Sequence, residues 1–502
     1  MKRALLLAFL AVSVPLSAQS PARALVQKAI DAQGGEAALR AVRSVQVEGM
    51  GHSYALEQSE RPEGPYLVSY EQQAEIRDHE HSRLWRKNEV RNWSALKWAG
   101  AAVVVAGDVA AMRAGEQWRP HQPAQVERAK EDMSLSPERL LLTALAAPDL
   151  RAAPDRTLHG IVNHGVAFSH ATGKIALYLN SHTSLPTMMQ VVADDMFGIW
   201  GDVTRERWYT FWTLQAGGWL FPQQITQTWN GVPESDQSAL AVKVNAEIDD
   251  TLFAIPDDTK AAFLKARAAA PPSGFGFGAL RLDPAKAIEV APDVVLFPGA
   301  WAVTLVRQPD GIVVLEAPIG SAYSAQVIDV AAVRFPGVPI KAVVTTSDAW
   351  PHLGGVREYV ARGIPVYALD LNMPILRRLV DAKHSTSPDG LSRKPRKPVW
   401  KVVSGKTTIG TGATRIDIIP TRGESSERMM IAHLPGLNLL YASDLLQYTR
   451  DRKSFFNPIY PAEAEAAVSR QGITGIDRVW AMHMDPIAWS KVTDALAAIR
   501  AK

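Results

Sequence analysis

The chain has 502 residues, of which 47% are hydrophobic and 21% charged, and its formal net charge at pH 7 is +3. This length predicts two domains, since one domain usually takes about 100 to 200 residues. The composition excludes wholesale disorder, and the small net charge excludes a typical nucleic-acid-binding protein. Because the chain contains no cysteine, thiolate metal ligands, disulfides and a lipidated N-terminal cysteine are excluded together.

Residues 1–18, MKRALLLAFLAVSVPLSA, have the pattern of an export signal peptide. A basic pair is followed by an apolar core from Ala4 to Val14 and by small residues at Ser17 and Ala18. The core is about 11 residues long, whereas roughly 20 are needed to cross a bilayer, so a permanent membrane helix is the less favoured alternative. We therefore expect a periplasmic or secreted protein with no integral membrane segment after signal removal.

Residues 23–257 are predicted to form a domain rich in β-strands behind one opening helix. Helical spacing in residues 20–33 stops at Gly34-Gly35, and later segments alternate apolar and polar residues around turns such as Gly217-Gly218. Within residues 207–214, large rings project from both faces of the predicted strand, so both faces must be covered. A helix on one face with a neighbour on the other is the favoured interpretation, and a groove for an apolar ligand is the alternative.

Several segments of this region together resemble a known family. The opening helix with its Gly-Gly stop, and the later series YLNSHTSLPTMMQ, GDVTRERWYTFW, GGWLFPQQI and VNAEIDDTLFAIP, resemble periplasmic lipoprotein carriers of the LolA type. The resemblance lies in the pattern and includes no catalytic motif. It implies an α+β domain in which a curved antiparallel β-sheet packs against a helix.

A change in composition and in the spacing of apolar residues after this region predicts a linker and a second domain. The linker is predicted at residues 258–280, where an Ala-rich run is followed by Pro271-Pro272 and several glycines. Residues 281–502 then alternate strands and helices, beginning with a hairpin over Pro309-Asp310-Gly311. This alternation predicts an α/β layer structure.

The segment TTSDAWPHLGGVREYVARGIPVYA resembles the metallo-β-lactamase fold, whose members place the motif HxHxDH and a Gly-Gly pair between this strand and helix. Aligned on residues 353–355, the two leading histidines of the family fall on Ser347 and Ala349. The aspartate of the family falls on Pro351, and its last histidine is present as His352. Three of the four ligand types of the loop are therefore missing.

Two later segments extend the resemblance, which covers roughly residues 290–495 and implies a C-terminal αββα sandwich. In IDIIPTRGESSERMMIAHLPGLNLLYASDLL, Glu424 stands at the place of a further histidine, and Asp444 keeps the bridging aspartate. The segment IDRVWAMHMDP keeps the final histidine as His483. The metal ligands implied by the resemblance are therefore His352, Asp444 and His483.

Two imidazoles and one carboxylate are enough to hold one zinc ion with an open coordination position, and they also suit non-haem iron(II). Water bound to such a metal could attack an ester or amide carbonyl. The candidate catalytic residues are Asp444 and Glu424, the latter as a general base or a replacement ligand. Asp348 is a weaker candidate ligand, because it lies between two ligand positions of the family. The alternative is that His352 and His483 are hydrogen-bonded relics.

Three other features have simpler interpretations. The cluster Asp78-His79-Glu80-His81 could bind a transition metal, but a solvated strand or loop is favoured. The basic run SRKPRKPVWK, Ser392 to Lys401, is predicted to be an exposed loop rather than an anion or phosphate site. His433 is predicted to be a packed or surface histidine rather than a ligand.

Two functions from different classes follow. The first is an exported hydrolase with a single metal, acting on an ester-like or amide-like small molecule. The second is a catalytically inactive binding protein for an apolar or acidic ligand. Convergence of His352, Asp444 and His483 on one point would favour the first, whereas Trp350 or Arg422 in that point would favour the second. The sequence determines neither the substrate nor the oligomeric state.

Overall fold

The structure is a computed structural model that describes residues 20–56, 66–91, 98–171, 173–194, 200–269, 280–449 and 454–501. The predicted signal peptide, residues 1–18, lies outside the described residues. No helix within the described ranges is long and apolar enough to cross a membrane.

A large antiparallel sheet of 13 strands dominates the first half of the chain, as expected from the alternating segments. Two meanders, β1 to β6 and β7 to β13, meet where β1 pairs with β13, with Val45 opposite Val244. The strands are β1 (Ser44–Tyr54), β2 (Val68–Asp78), β3 (Arg83–Arg91), β4 (Ala99–Ala106), β5 (Val109–Ala114), β6 (Gln117–Pro120), β7 (Arg151–Leu158), β8 (Ile161–His170), β9 (Gly173–Asn180), β10 (Pro186–Asp194), β11 (Asp202–Leu214), β12 (Leu220–Trp229) and β13 (Val232–Val244).

Helices cover one face of this sheet. They are α1 (Pro21–Gln33), α2 (Glu36–Ala41), α3 (Ala124–Ser134), α4 (Leu140–Ala146) and α5 (Asp257–Ala269). The helix α1 begins where the Ser20 side chain accepts a hydrogen bond from the Arg23 amide, and it ends at Gly34 with φ 128°. A side chain at Gly34 would meet the Gly218 carbonyl oxygen at 2.5 Å, so glycine is required by space as well as by conformation. Rings from the sheet, including Trp219 and Phe168, are fully buried beneath the helices.

The prediction of a linker at residues 258–280 is wrong for residues 258–269, which are helical. Residues Asp257–Ala269 form the helix α5, which packs on β5 and β6 with Phe263 fully buried. The physical reason is that the alanine-rich run KAAFLKARAAA favours a helix wherever an apolar residue can be buried. Residues 257–269 therefore pack with the large sheet, and residues 270–279 lie outside the described residues.

The second half of the chain contains two mixed sheets that pack face to face. Their facing side chains form one core, which includes Val313 and Val344 from one sheet and Ile418 and Trp480 from the other. The first sheet contains β14 (Ile288–Ala291), β15 (Val294–Phe297), β16 (Val303–Gln308), β17 (Gly311–Leu315), β18 (Ile340–Thr345), β19 (Val366–Leu369) and β20 (Trp400–Val403). The second contains β21 (Thr407–Ile409), β22 (Ile416–Pro420), β23 (Met430–Leu434), β24 (Leu439–Tyr441), β25 (Arg478–Ala481) and β26 (Met484–Ala488).

Helices pack on the two outer faces of this pair of sheets. Tyr323 and Leu376 lie in the core between helices and the first sheet, and Ala464 and Leu496 lie in the core beside the second. The helices are α6 (Ser321–Arg334), α7 (Trp350–Leu353), α8 (Val356–Ala361), α9 (Met373–Asp381), α10 (Gly390–Arg393), α11 (Ile459–Arg470) and α12 (Trp489–Arg500). Helix, sheet, sheet and helix thus follow one another as four layers.

The two halves contact each other at the first residue of β11. The Asp202 carboxylate accepts hydrogen bonds from the amides and hydroxyls of Ser385 and Thr386, at 2.6 to 3.0 Å. The Asp202 amide donates to the Lys383 carbonyl oxygen at 2.6 Å. One carboxylate therefore fixes the segment that follows α9 to the first domain.

Candidate functional site

A buried carboxylate forms the base of the candidate site. Glu316 directly follows the apolar strand β17, with φ 79°, and its side chain is fully buried. The Tyr441 hydroxyl donates a hydrogen bond to Glu316 Oε1 at 3.0 Å, and the Thr346 hydroxyl donates to the same oxygen. The strands β17 and β18 are neighbours in one sheet and β24 lies in the facing sheet, and the side chains of Glu316, Thr346 and Tyr441 at or just after their ends meet at one point.

His352 lies directly against this carboxylate. It sits in α7 after β18 and is fully buried. Its Nδ1 atom is 3.1 Å from Glu316 Oε2, and its Nε2 atom is 3.4 Å from Asp444 Oδ2. Neither contact has the direction of a hydrogen bond, so the interactions are chiefly ionic. The imidazole ring is therefore held between two carboxylates.

His483 continues the contacts toward solvent. Its Nε2 atom is 3.1 Å from Asp444 Oδ1, and its Nδ1 atom is 2.6 Å from the Ala300 carbonyl oxygen, to which it donates. The side chains of Asp444 and His483 are 25% and 21% exposed, so this end of the site is open. We call Glu316, His352, Asp444 and His483 the second-domain ion chain.

The two carboxylates set the charges of this chain. Burial alone would lower the pKa of His352, but the negative charges of Glu316 and Asp444 outweigh burial and raise that pKa to about 10. Burial would likewise raise the pKa of Asp444, but its contacts with His352 and His483 hold it well below the ordinary value. At neutral pH, His352 is therefore an imidazolium and Asp444 a carboxylate.

The remaining predicted residues lie elsewhere. Glu424 is exposed and forms no hydrogen bond or ion pair with any residue that the structure describes. Asp348 is buried, while the Ser347 hydroxyl accepts a hydrogen bond from the Ala349 amide at 3.2 Å. Arg422 pairs with Asp370 at 3.1 Å. The structure thus brings together the three predicted ligands and does not place Glu424 in contact with them; the Trp350 side chain lies outside the described part.

The donor atoms do not fit the single zinc or iron ion that the metallo-β-lactamase resemblance implies. A tetrahedral site needs three protein atoms around one point. Here the two imidazoles face different oxygens of Asp444, and the second nitrogen of His352 faces Glu316. Within the described ranges, no group of three histidine, aspartate or glutamate side chains is arranged to hold a metal. Metal binding therefore stays a prediction that this arrangement does not support.

The sequence analysis did not identify Glu316, Thr346 or Tyr441 as parts of the site. A glutamate at the end of the apolar strand GIVVL was the available signal, because a buried carboxylate needs a cation or several donors. The donors, however, come from residues far along the chain. Tyr441 lies 125 positions after Glu316, so no local pattern connects the two.

The cluster of residues 78–81 forms a turn whose histidines bind different carboxylates. His79 Nε2 is 2.9 Å from Glu138, and His81 Nδ1 is 2.9 Å from Asp78. His433 lies in β23, opposite Leu440. None of these histidines joins a metal-binding group among the residues that the structure describes.

No protein-family model and no curated protein matches the chain. Among solved structures, the inverting sec-alkylsulfatase Pisa1 from Pseudomonas sp. is 18% identical, with a TM-score of 0.33 over 43% of this chain and 40% of that one. A metallo-β-lactamase from Pontibacter korlensis is 14% identical, with a TM-score of 0.34 over 43% of this chain and 99% of its own length. One from Hirschia baltica is 15% identical, with a TM-score of 0.32 over 42% of this chain and 95% of its own.

The chain spans 40% of the length of the alkylsulfatase and nearly the whole length of the two metallo-β-lactamases. Less than half of this chain takes part in each similarity. Since one fold hosts many chemistries, what this chain does has to be inferred from its own site.

Proposed function

We propose that the protein is an exported binding protein for an acidic small molecule, and that its C-terminal domain has a metallo-β-lactamase-like scaffold without the metal-dependent reaction. The supporting observation is the direction in which the ring nitrogens of the second-domain ion chain face. The two nitrogens of His352 face Glu316 and Asp444, and those of His483 face Asp444 and the Ala300 carbonyl oxygen. Among the residues that the structure describes, no three of these donors are arranged around one point to hold a metal.

The two faces of the first-domain sheet carry different side chains. The face of the sheet under the helices is filled by its own rings, such as Trp219 and Phe168, both fully buried. The opposite face has both polar and apolar side chains: Thr226, Asp236 and His52 stand at paired positions, and the same row continues to Trp208 and Tyr70. The class of ligand is therefore inferred from the second domain.

A hydrolase with one metal is the second candidate, because three distant segments bring His352, Asp444 and His483 together. Their nitrogen–oxygen distances of 3.1 and 3.4 Å are close to the separation of about 3.3 Å between two donors on one zinc ion. In addition, the Nδ1 atom of His483 donates to a carbonyl oxygen, which is common for metal-binding histidines.

Metal content distinguishes the two candidates. The mature protein, purified without chelator or histidine tag, is analysed by mass spectrometry beside His483→Gln and the control His164→Gln, whose ring contacts only the exposed Asp155. We expect far less than one metal ion per chain in all three proteins. About one zinc or iron per chain in the wild type and the control, lost in His483→Gln, would overturn the proposal in favour of the hydrolase.

A further inference from the structure

A basic cleft lies in the second domain beside its contact with the first. Its volume is about 510 Å³, in the range of small-molecule sites. One wall is the segment that follows α9, and the other is the segment that includes and follows α10. The lining residues that matter below are Arg357, Lys383, Ser385, Arg396 and Lys397, with Asp381 as an acidic neighbour.

Arg357 holds the two walls at their separation. Its guanidinium donates to the carbonyl oxygens of Leu379, Val380 and Ala382 on one wall, at 2.6 to 3.2 Å. On the other it forms a bidentate pair with Asp389, at 2.6 and 3.0 Å. Because Asp389 neutralises this buried cation, Arg357 supports the shape of the cleft and adds little net charge to it.

The first domain fixes the same wall from the outside. Asp202 receives four donors from Ser385 and Thr386 and binds the Lys383 carbonyl oxygen through its own amide. The position of the Lys383 backbone is thus set by both domains. The first domain contributes no lining residue and acts on the cleft only through this contact.

Three further cations of the cleft differ from Arg357 in having no anionic partner among the described residues. The side chains of Lys383, Arg396 and Lys397 form no ion pair or hydrogen bond with a residue that the structure describes. The guanidinium of Arg396 lies close to Gly363, where an added Cβ would be 2.1 Å from its Nη1 atom. Against these three cations the lining offers one carboxylate, that of Asp381, so the cleft has a positive surplus.

We propose that this cleft binds a small organic molecule with at least two negative charges, such as a phosphate ester or a polycarboxylate. Lysine and arginine side chains around a concave surface are the usual partners of these groups, and the volume admits an organic body beside the charged part. The proposal rests on the proposed function, for which it supplies the location and the chemical class of the acidic ligand. The basic run of residues 392–401 becomes one wall of the site.

Calorimetric titration of the full mature chain with pyrophosphate and, separately, with citrate tests the proposal. We compare the wild type with a cleft variant, Lys383→Gln with Arg396→Gln. The control, Lys174→Gln with Lys491→Gln, removes the same charge from two exposed side chains outside the cleft. Pyrophosphate tests phosphate chemistry and citrate tests carboxylate chemistry. Thermal unfolding of each variant verifies that it is folded.

We expect saturable binding of at least one anion, weakened about tenfold or more in the cleft variant and about twofold or less in the control. Equal weakening in the two variants, or no saturable binding of either anion to the wild type, would overturn the cleft site. Neither result alters the metal content on which the proposed function is judged. One metal ion per chain would overturn the proposed function whatever the titrations show.

Discussion

Each domain buries a cluster of charges around a histidine, and the two clusters are built from different cations. The first-domain ion network consists of Glu75, Arg77, Arg86 and Glu138, joined by His79 and Asp132. Its cations are guanidinium groups that stay charged at any ordinary pH. The second-domain ion chain has two carboxylates and only imidazoles as cations.

The hydrogen-bond geometry of the two clusters differs as well. Arg77 binds Glu138 through two aligned bonds of 2.7 and 3.2 Å and also donates to Glu75. In the ion chain, both nitrogens of His352 lack an aligned bond. Both clusters reach solvent at one end, the first at Arg86 and Asp132 and the second at Asp444 and His483. The difference between them therefore lies in bond alignment and in the kind of cation: aligned bonds with permanent charges are typical of a structural cluster, whereas titratable groups are common at functional sites.

The strongest way to break the first network is Arg77→Met. The substitution leaves Glu75 and Glu138 buried with one cationic partner fewer, and we expect a loss of about 3 to 5 kcal/mol in the free energy of unfolding. Urea denaturation, with hydrogen exchange of β2 as a local readout, measures the effect. As control, Arg40→Met breaks an exposed pair with Glu36 and should cost less than about 0.5 kcal/mol. A similar cost in both variants would contradict the structural role.

The two clusters should respond to pH in opposite directions. Arg86 and Arg77 outweigh the effect of burial and lower the pKa of Glu75 to about 2, below its ordinary value of 4.5. Its contribution is therefore complete above pH 4.5 and is lost as the pH falls toward 2. The pKa of His352, raised from 6.5 to about 10, gives a contribution that is complete below pH 6.5 and is lost as the pH rises toward 10.

The pH prediction is measured as a difference of unfolding free energies between the wild type and each of two variants. For Glu75→Gln, the difference should be on the order of 2 to 3 kcal/mol at pH 6 and shrink at pH 3. For His352→Gln, it should be of similar size at pH 6 and shrink at pH 9. A difference for His352→Gln that does not depend on pH would show that this ring is neutral in the folded protein.

The smallest expected effect concerns the contact between the two domains. The substitution Asp202→Ala removes the carboxylate that accepts hydrogen bonds from Ser385 and Thr386. Because this contact is exposed, we expect the free energy of docking between the two domains to become less favourable by about 1 kcal/mol. Limited proteolysis should then cut residues 381–388 several times faster. The control Asp249→Ala removes a carboxylate that caps Thr251 within the first domain. Equal proteolysis of the two variants would show that the Asp202 contact does not hold the segment.

Much of the fold could be predicted from local sequence patterns. Alternating residues indicated the large antiparallel sheet, and the alternation of strands with helices after residue 281 indicated a layered second domain. The linker was misplaced, because the burial of Phe263 beneath α5 is a tertiary contact that the composition of the segment does not reveal.

The candidate site was predictable only in part. The resemblance indicated His352, Asp444 and His483, which lie together. It could not indicate that Glu316 holds the far side of the His352 ring, because that contact depends on the conformation after β17. The basic run of residues 392–401 was predicted to be an exposed loop. It lines a cleft because the fold places the segment after α9 opposite it, which the sequence does not reveal. Sequence patterns identify the elements, whereas convergence of their ends is a property of the assembled fold.

The pairing of β1 with β13 has a consequence for the order in which the first domain folds. Val45 and Val244 are about 200 residues apart, whereas every other pair of neighbouring strands in the sheet is consecutive along the chain. During synthesis, the first meander can form strand by strand, but β1 remains an open edge until β13 has emerged. We expect the two meanders to form separately and the pairing of β1 with β13 to form last. Until β13 has emerged, the open edge of β1 needs protection from pairing with strands of other chains.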